Sequence, residues 1–338
     1  MKLYSAIDLH SNNSVVVVID ENGKQMYQKR LTNDLEKIHL ALEPYKTNLV
    51  GVVVESTYNW YWLVDGLMAK GYKVHLANTT AIQQYKGIKH TNDFTDAHWL
   101  AELLRLNLLP EGYIYPKEER AIRDLLRKRG YLVQQRTSNL LSLQNIITRE
   151  TGEKISGNKI KSLEVDELKK YLENENTRQS AASNLQIINA LDNEIVRIEK
   201  SCLKQVKLKP EFQKLKSVPG IGNILALVIM LETGDVKRFD KVGNFSSYCR
   251  CANSSKISNG KKKGENNRKN GNKYLSWAFA EAACFSIRFN ETIKKYYQKK
   301  MSKTKQIVAM KTVAHKLTKA CYYIMRNEVE FDLKKAFC

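Results

Sequence analysis

Residues 49–55 read Leu-Val-Gly-Val-Val-Val-Glu, an apolar run closed by an acid, and no other stretch constrains the fold as tightly. A strand this uniformly apolar is buried on both faces, so its sheet needs a covering layer on each side. The neighbouring sequence supplies those layers. "LYSAIDLH" and "SVVVVID" are strand patterns, Asn22-Gly23 suits a tight hairpin turn, and "QMYQKRL" continues the meander. Asn33 is placed to cap a helix through "DLEKIHLALE". After the apolar run come a helix "WYWLVDGLMAK" ending at Gly71, a strand "YKVHLA", and a helix "DFTDAHWLAELLRLNLLP" stopped by Pro110. Three strands followed by helix, strand, helix, strand and helix predict a mixed α/β sheet over residues 1–116.

The pattern then changes. Residues 117–207 read as long helices, and Ile188, Leu191, Ile195, Ile198 and Cys202 step 3, 4, 3, 4 in a heptad seam. This predicts an antiparallel coiled-coil hairpin, extended by pairing with another subunit; a plain helix pair within one chain is the alternative. Residues 208–338 are mainly helical. Pro219-Gly220-Ile221-Gly222 between two helical stretches has the form of a helix-hairpin-helix, whose glycine turn serves either phosphate contact or packing. The stretch "SNGKKKGENNRKNGNK", residues 258–273, reads as a solvated basic loop.

Lys and Arg outnumber Asp and Glu by 56 to 35, a net charge of +21, and such a field attracts polyanions, nucleic acid first among them. The six cysteines show one C-x-C and no C-x-x-C, which suits free thiols in a reducing cytoplasm rather than a zinc site. The first residues enter a strand pattern at once and no apolar run approaches the roughly 20 residues of a membrane span, so the expectation is a cytoplasmic protein with no membrane partner.

Four acids stand out. Asp8 sits inside the first strand, where a carboxylate among apolar neighbours is costly without compensation. Glu55 ends the apolar run, and Asp93 and Asp96, three apart, share one face at a helix start. Singly, each has an ordinary reading: a helix cap for Asp93 or Asp96, a surface acid for Glu55. Together they are four carboxylates that repel one another unless cations lie between them, and Mg²⁺ would satisfy them. His10 lies on the same strand face as Asp8. Tyr58, Trp60, Tyr61 and Trp62 read as core before base-stacking, whereas Tyr296 and Tyr297, inside a Lys-rich stretch, are balanced between the two.

"AIDLH", "VVVES" and "TNDFTDAHWLAELL" resemble the D, E and D-x-x-D motifs of an RNase H-like (RuvC-like) nuclease domain, and more narrowly those of the DEDD transposases of the insertion-sequence-110 family, also called bridge-RNA-guided recombinases. "VPGIGNILALVIMLETGDVKRF" and "FSSYCRCANSSKISNGKKKGENNRKNGNKYLSWAFAEAA" are similar to that family's C-terminal transposase domain. The resemblance implies a transposase of a mobile insertion element that cuts and rejoins DNA through a covalent phosphoserine. Its cofactor would be Mg²⁺, with Mn²⁺ as an alternative, held by Asp8, Glu55, Asp93 and Asp96. The family's K-x-G-N-x-x-L stretch is matched by Lys269, Gly271, Asn272 and Leu275, and counting back from it implies Ser258 as the nucleophile. Asn259 separates Ser258 from Gly260 where relatives have Ser-Gly, which keeps Ser254 and Ser255 as alternatives. Lys261, Lys262, Lys263, Arg268, Lys269 and Lys273 would contact phosphates. The implied partners are target and donor DNA, a noncoding bridge RNA, and further copies of the chain in a dimer or tetramer acting at the nucleoid. A RuvC-like metal-dependent nuclease or Holliday junction resolvase, without a covalent intermediate, is the competing reading.

Overall fold

The computed structural model describes residues 1–82, 92–206, 208–265 and 270–337. The chain divides into two compact units, the first Met1–Lys117 with Asn267–Asn270 and the second Glu118–Asn266 with Gly271–Cys338. The first is built on a six-stranded sheet of order β3-β2-β1-β4-β5-β6. Strands β1 (Leu3–Leu9), β2 (Asn13–Asp20) and β3 (Gln25–Thr32) form an antiparallel meander. Strands β4 (Leu49–Glu55) and β5 (Val74–Ala77) extend it in parallel from β1, and the two-residue β6 (Glu111–Gly112) closes the edge antiparallel to β5.

Alternation along the strands sorts their side chains between two cores. Ile7, Leu9, Val16, Val18, Val52 and Val54 pack on one face under helices α1 (Leu35–Leu42) and α2 (Tyr61–Ala69). Ala6, Val15, Val17, Ile19 and Val53 pack on the other under α3 (Asp93–Arg105), against Ala97, Leu100, Ala101 and Leu103. Each fully buried Val or Leu contributes roughly 1.5–3 kcal/mol, which makes both layers strong supports. Asp8 follows Ala6 by two residues and Glu55 follows Val53 by two, so both acids lie on the face covered by α3.

One cap differs from expectation. Asp34, not Asn33, caps α1, accepting hydrogen bonds from the Glu36 and Lys37 amides. Asn33 is turned inward instead, donating from Nδ2 to the His10 carbonyl at 3.0 Å and accepting from the Ser14 hydroxyl at 2.7 Å.

In the second unit, α4 (Lys117–Thr151) and α6 (Glu175–Val206) run antiparallel, with α5 (Gly157–Lys161) in the connection. Ion pairs Arg129–Glu199 and Arg136–Asp192 fix the register, one heptad forward on α4 matching one heptad back on α6. Ile188, Ile195, Ile198 and Cys202 of the heptad seam are buried within the chain itself. The seam is therefore already filled by α4, and the large apolar side chains exposed on the two helices are others: Tyr131, Leu141, Ile187 and Val196.

The hairpin base shares one core with the helices that follow: α7 (Pro210–Leu215), α8 (Asn223–Thr233), α9 (Val242–Tyr248), α10 (Lys273–Phe289), α11 (Glu291–Met301), α12 (Gln306–Asn327) and α13 (Leu333–Phe337). Between α9 and α10 an exposed ribbon of β7 (Lys256–Ser258) and β8 (Lys261–Gly264) stands outside that core. Helix α8 is apolar all round and accordingly central, with Leu225 through Ile229 and Leu231 buried. The turn before it settles the role of Gly220. Its φ is +86°, and a Cβ there would lie 2.6 Å from the Ala282 carbonyl oxygen and the Ser286 amide. The glycine serves close packing on α10, where the buried Ser286 hydroxyl donates to Pro219 O at 2.5 Å. Gly222, facing open space, begins α8.

Candidate active site

In the first unit the end of β1, the end of β4 and the start of α3 converge, and they bring four carboxylates and an imidazole together. Asp8 is buried at 4% exposure and hydrogen-bonds Glu55. Glu55 carries the proton of that bond. Burial, the bond to Asp8 and the charges of Asp8 and Asp96 push the Glu55 carboxyl up to about 8. Burial, followed by the charges of Asp8 and Asp93, also raises Asp96. Asp93 alone moves down, because Arg30 donates to its Oδ2 at 2.7 Å.

The ordinary reading of Asp93 and Asp96 as helix caps does not hold. Asn92 caps α3, accepting from the Phe94 and Thr95 amides, and Thr95 returns the bond in a capping box. Both aspartates are thereby released to face the site from the first turn, where the helix dipole favours anions.

His10 completes the group. Its carbonyl is held by the side-chain amides of Asn33 and Asn59, each at 3.0 Å. Its Nε2 lies in ion-pair range of two carboxylates, 3.2 Å from Asp8 Oδ2 and 3.4 Å from Asp93 Oδ2, with no well-aligned hydrogen bond among the described residues. Ligand atoms of Asp8, His10 and Asp93 all fall within 4.8 Å of one another. Mutually repelling carboxylates with a ring nitrogen set among them are a donor set that fits a divalent cation.

The second unit presents Ser258 on a different kind of support. Residues expected to form an irregular loop build the β7–β8 ribbon instead, with Ser258 paired to Lys261 and Ile257 to Lys262. Asn259 and Gly260 have φ of 49° and 68°, the two left-handed positions of a type I′ hairpin turn. Ser258 is exposed at the tip, and Lys261 is its cross-strand neighbour on the same face. Lys262 and Lys263 are exposed along β8, and Lys273 opens α10. Ser254, half-buried, and Ser255, exposed, precede the ribbon; Arg268 and Lys269 lie outside the described residues.

Residues 6–150 match the DEDD transposases of the IS110 type, and residues 212–298 match the Transposase IS116/IS110/IS902 family. This chain belongs to the IS110 family of DEDD transposases. No curated protein sequence matches it closely. The first match contains Asp8, Glu55, Asp93 and Asp96; the second contains Ser258 and the basic ribbon. The chain is thus a DNA transposase, its partner is DNA, and its DEDD class implies a divalent metal. Among the described residues, no helix is long and apolar enough to cross a membrane.

The transposase also uses residues that the sequence does not advertise. Gly271, at φ +88°, brings the chain so close to α9 that a Cβ would meet Tyr248 O at 2.5 Å. Asn272 then caps α10 through the Tyr274 and Leu275 amides, and its Nδ2 donates to Glu232 Oε2 at 2.7 Å. Glu232 is buried on α8 and gripped by Arg127 of α4 at 2.6 and 2.8 Å. Burial alone would lower the Arg127 guanidinium, but Glu232 more than offsets it and carries it above its ordinary range. This chain of bonds pins the C-terminal root of the basic segment to the core. The aromatic cluster near α2 divides: Trp60 and Trp62 pack against the core, while Tyr58 is 84% exposed.

Proposed function

We propose that this transposase is a site-specific recombinase of a mobile insertion element that cuts and rejoins DNA through a phosphoserine at Ser258. The carrying observation is the convergence of Asp8, Glu55, Asp93 and Asp96 with the His10 imidazole. The sheet order β3-β2-β1-β4-β5, with acids at the ends of β1 and β4 and on α3, supports an RNase H-like (RuvC-like) reading of the first unit.

These residues would hold Mg²⁺, with Mn²⁺ as an alternative, both suited to carboxylate oxygens. When bound there, such an ion supplies neutralising charge at a phosphodiester and helps activate an attacking oxygen. Asp93, kept ionised by Arg30, and Asp8, ordered by β1, would serve as ligands, with the His10 imidazole beside them. In the second unit the Ser258 hydroxyl forms a bond to phosphorus as the bond from phosphorus to the 3′ oxygen breaks. The hydroxyl proton is lost to a base and the departing oxygen takes one up. The phosphoserine conserves the bond energy, so the reverse attack by a new 3′ hydroxyl reseals the strand without ATP. Lys261 beside Ser258, with Lys262, Lys263, Arg268, Lys269 and Lys273, neutralises the backbone.

Sequence choice in this reading comes from a noncoding bridge RNA that pairs with target and donor DNA, leaving the protein to read backbone and shape. The +21 charge supports binding of two nucleic acids, and homo-oligomers bring two sets of strands together. The test is cleavage of element-end DNA in the presence of co-purified RNA: it requires Mg²⁺ or Mn²⁺, stops with chelator, and is abolished in Asp8→Asn. Cleavage that survives both treatments contradicts the metal site.

A further inference from the structure

A cavity of about 720 Å³ opens in the C-terminal part of the second unit, between α11, α12 and α13. Helix α12 has two working faces. Val313, Leu317 and Cys321 point into the core, whereas Thr312, His315, Lys319, Tyr323 and Asn327 line the cavity. The second set recurs at three- and four-residue steps and forms one continuous stripe.

The stripe combines three kinds of group. Tyr323 is an aromatic platform, 46% exposed, whose only described ring neighbour is Tyr322, edge-on at 5.2 Å. Tyr296, across the cavity, is by contrast a wall: Lys316 lies over its ring at 4.9 Å and Phe337 meets it edge-on at 5.4 Å. Lys319 and Lys335 border the opening, and neither side chain has an acidic partner among the described residues. His315 and Asn327 present hydrogen-bonding edges. Burial, with Lys319 beside it, holds the His315 ring below its ordinary value, so it stands neutral and offers one donor and one acceptor.

Glu330 and Asp332 also line the cavity, beside Lys316, Lys319 and Lys335, and residues 291–337 as a whole contain twelve Lys and Arg against four Asp and Glu. The volume falls in the range of small-ligand sites. An aromatic face, a neutral polar edge and two free cations match the base and phosphate of one nucleotide, whereas a paired base could not leave its stack to enter. An acidic peptide would use the lysines but leave the tyrosine face idle.

We propose that this cavity holds one unpaired nucleotide of a bound nucleic-acid strand, its base on Tyr323 and its phosphate at Lys319 and Lys335. The proposal rests on the reading of the chain as a nucleic-acid enzyme and adds a site separate from both the acidic cluster and the serine ribbon. It anchors a single-stranded segment of guide RNA or opened DNA.

The test uses the full chain and labelled oligo(dT), oligo(rU) and a DNA duplex of equal length. Tyr323→Ala should weaken single-strand binding about tenfold and leave duplex binding unchanged, with Tyr323→Phe restoring it, since stacking needs only the ring. Lys319→Ala should reduce the salt dependence of single-strand binding by about one phosphate contact. The oligonucleotide that loses more, RNA or DNA, identifies the strand the cavity serves. Unchanged single-strand affinity in Tyr323→Ala, an equal loss on duplex, or an equal loss for polyglutamate overturns the proposal. A wild-type chain that binds none of the three nucleic acids would instead sink the functional reading beneath it.

Discussion

Replacing Glu55 by Gln tests the crowding of the acidic cluster without touching the packed cores. In the folded, metal-free chain this carboxyl is pushed from 4.5 up to about 8, so the folded state holds a proton that the unfolded chain has shed. Below pH 4.5 both states are protonated and the site costs nothing. Between about 4.5 and 8 stability falls as pH rises, and above 8 the full penalty is present. Taken whole, the shift corresponds to at most about 5 kcal/mol. Glu55 is only half-buried, and solvent screening reduces this to ~2 kcal/mol. Chemical denaturation in chelator, from pH 5 to pH 9, should show wild type losing about that amount while Glu55→Gln stays flat. The two proteins should match near pH 5, and the variant should be the more stable near pH 9. Saturating Mg²⁺ should flatten the wild-type curve, because a cation binds the ionised form. If Glu55→Gln declined as steeply as wild type in chelator, the carboxylates would not be the crowded group described here.

Three further expectations concern the second unit. Arg127→Met leaves the buried Glu232 carboxylate without its cation and should cost about 3 kcal/mol in denaturant unfolding, with Arg127→Met/Glu232→Gln recovering part of the loss. Gly220→Ala drives a Cβ into α10 at a positive φ and should cost roughly 2–3 kcal/mol, against under ~1 for Gly222→Ala, which faces open space. Gly260→Val, at φ 68°, strains the ribbon turn by about 1–2 kcal/mol; it should slow DNA cleavage while leaving the global unfolding midpoint unchanged, since the ribbon is exposed.

Much of the first unit was legible because its signals are local. Strand alternation, the Asn22-Gly23 turn and the apolar run from Leu49 fix the sheet, and the two-residue spacings Ala6–Asp8 and Val53–Glu55 carry both acids to the α3 face. The choice of cap between Asn33 and Asp34 was not legible, since both are good caps and the pull of the His10 carbonyl on Asn33 is long-range. The β7–β8 ribbon carried a readable signal, Asn259-Gly260, which the surrounding Lys and Gly content outweighed in a reading by composition. The heptad seam on α6 was correctly apolar, but periodicity cannot tell a partner helix in the same chain from one in another. Gly220 and the Arg127–Glu232–Asn272 chain depend on contacts far apart in sequence, and no local pattern marks them.

The central claim is that Ser258 becomes covalently joined to DNA in an enzyme that depends on the acidic cluster. The direct measurement incubates the full chain and its co-purified RNA with labelled element-end DNA and Mg²⁺. The protein is then denatured, and any DNA that stays attached is mapped to its peptide by mass spectrometry. The account predicts a 5′-phosphate adduct on Ser258, lost in Ser258→Ala and in Asp8→Asn. Cleaved DNA with no protein attached, or an adduct that persists in Ser258→Ala, would contradict it.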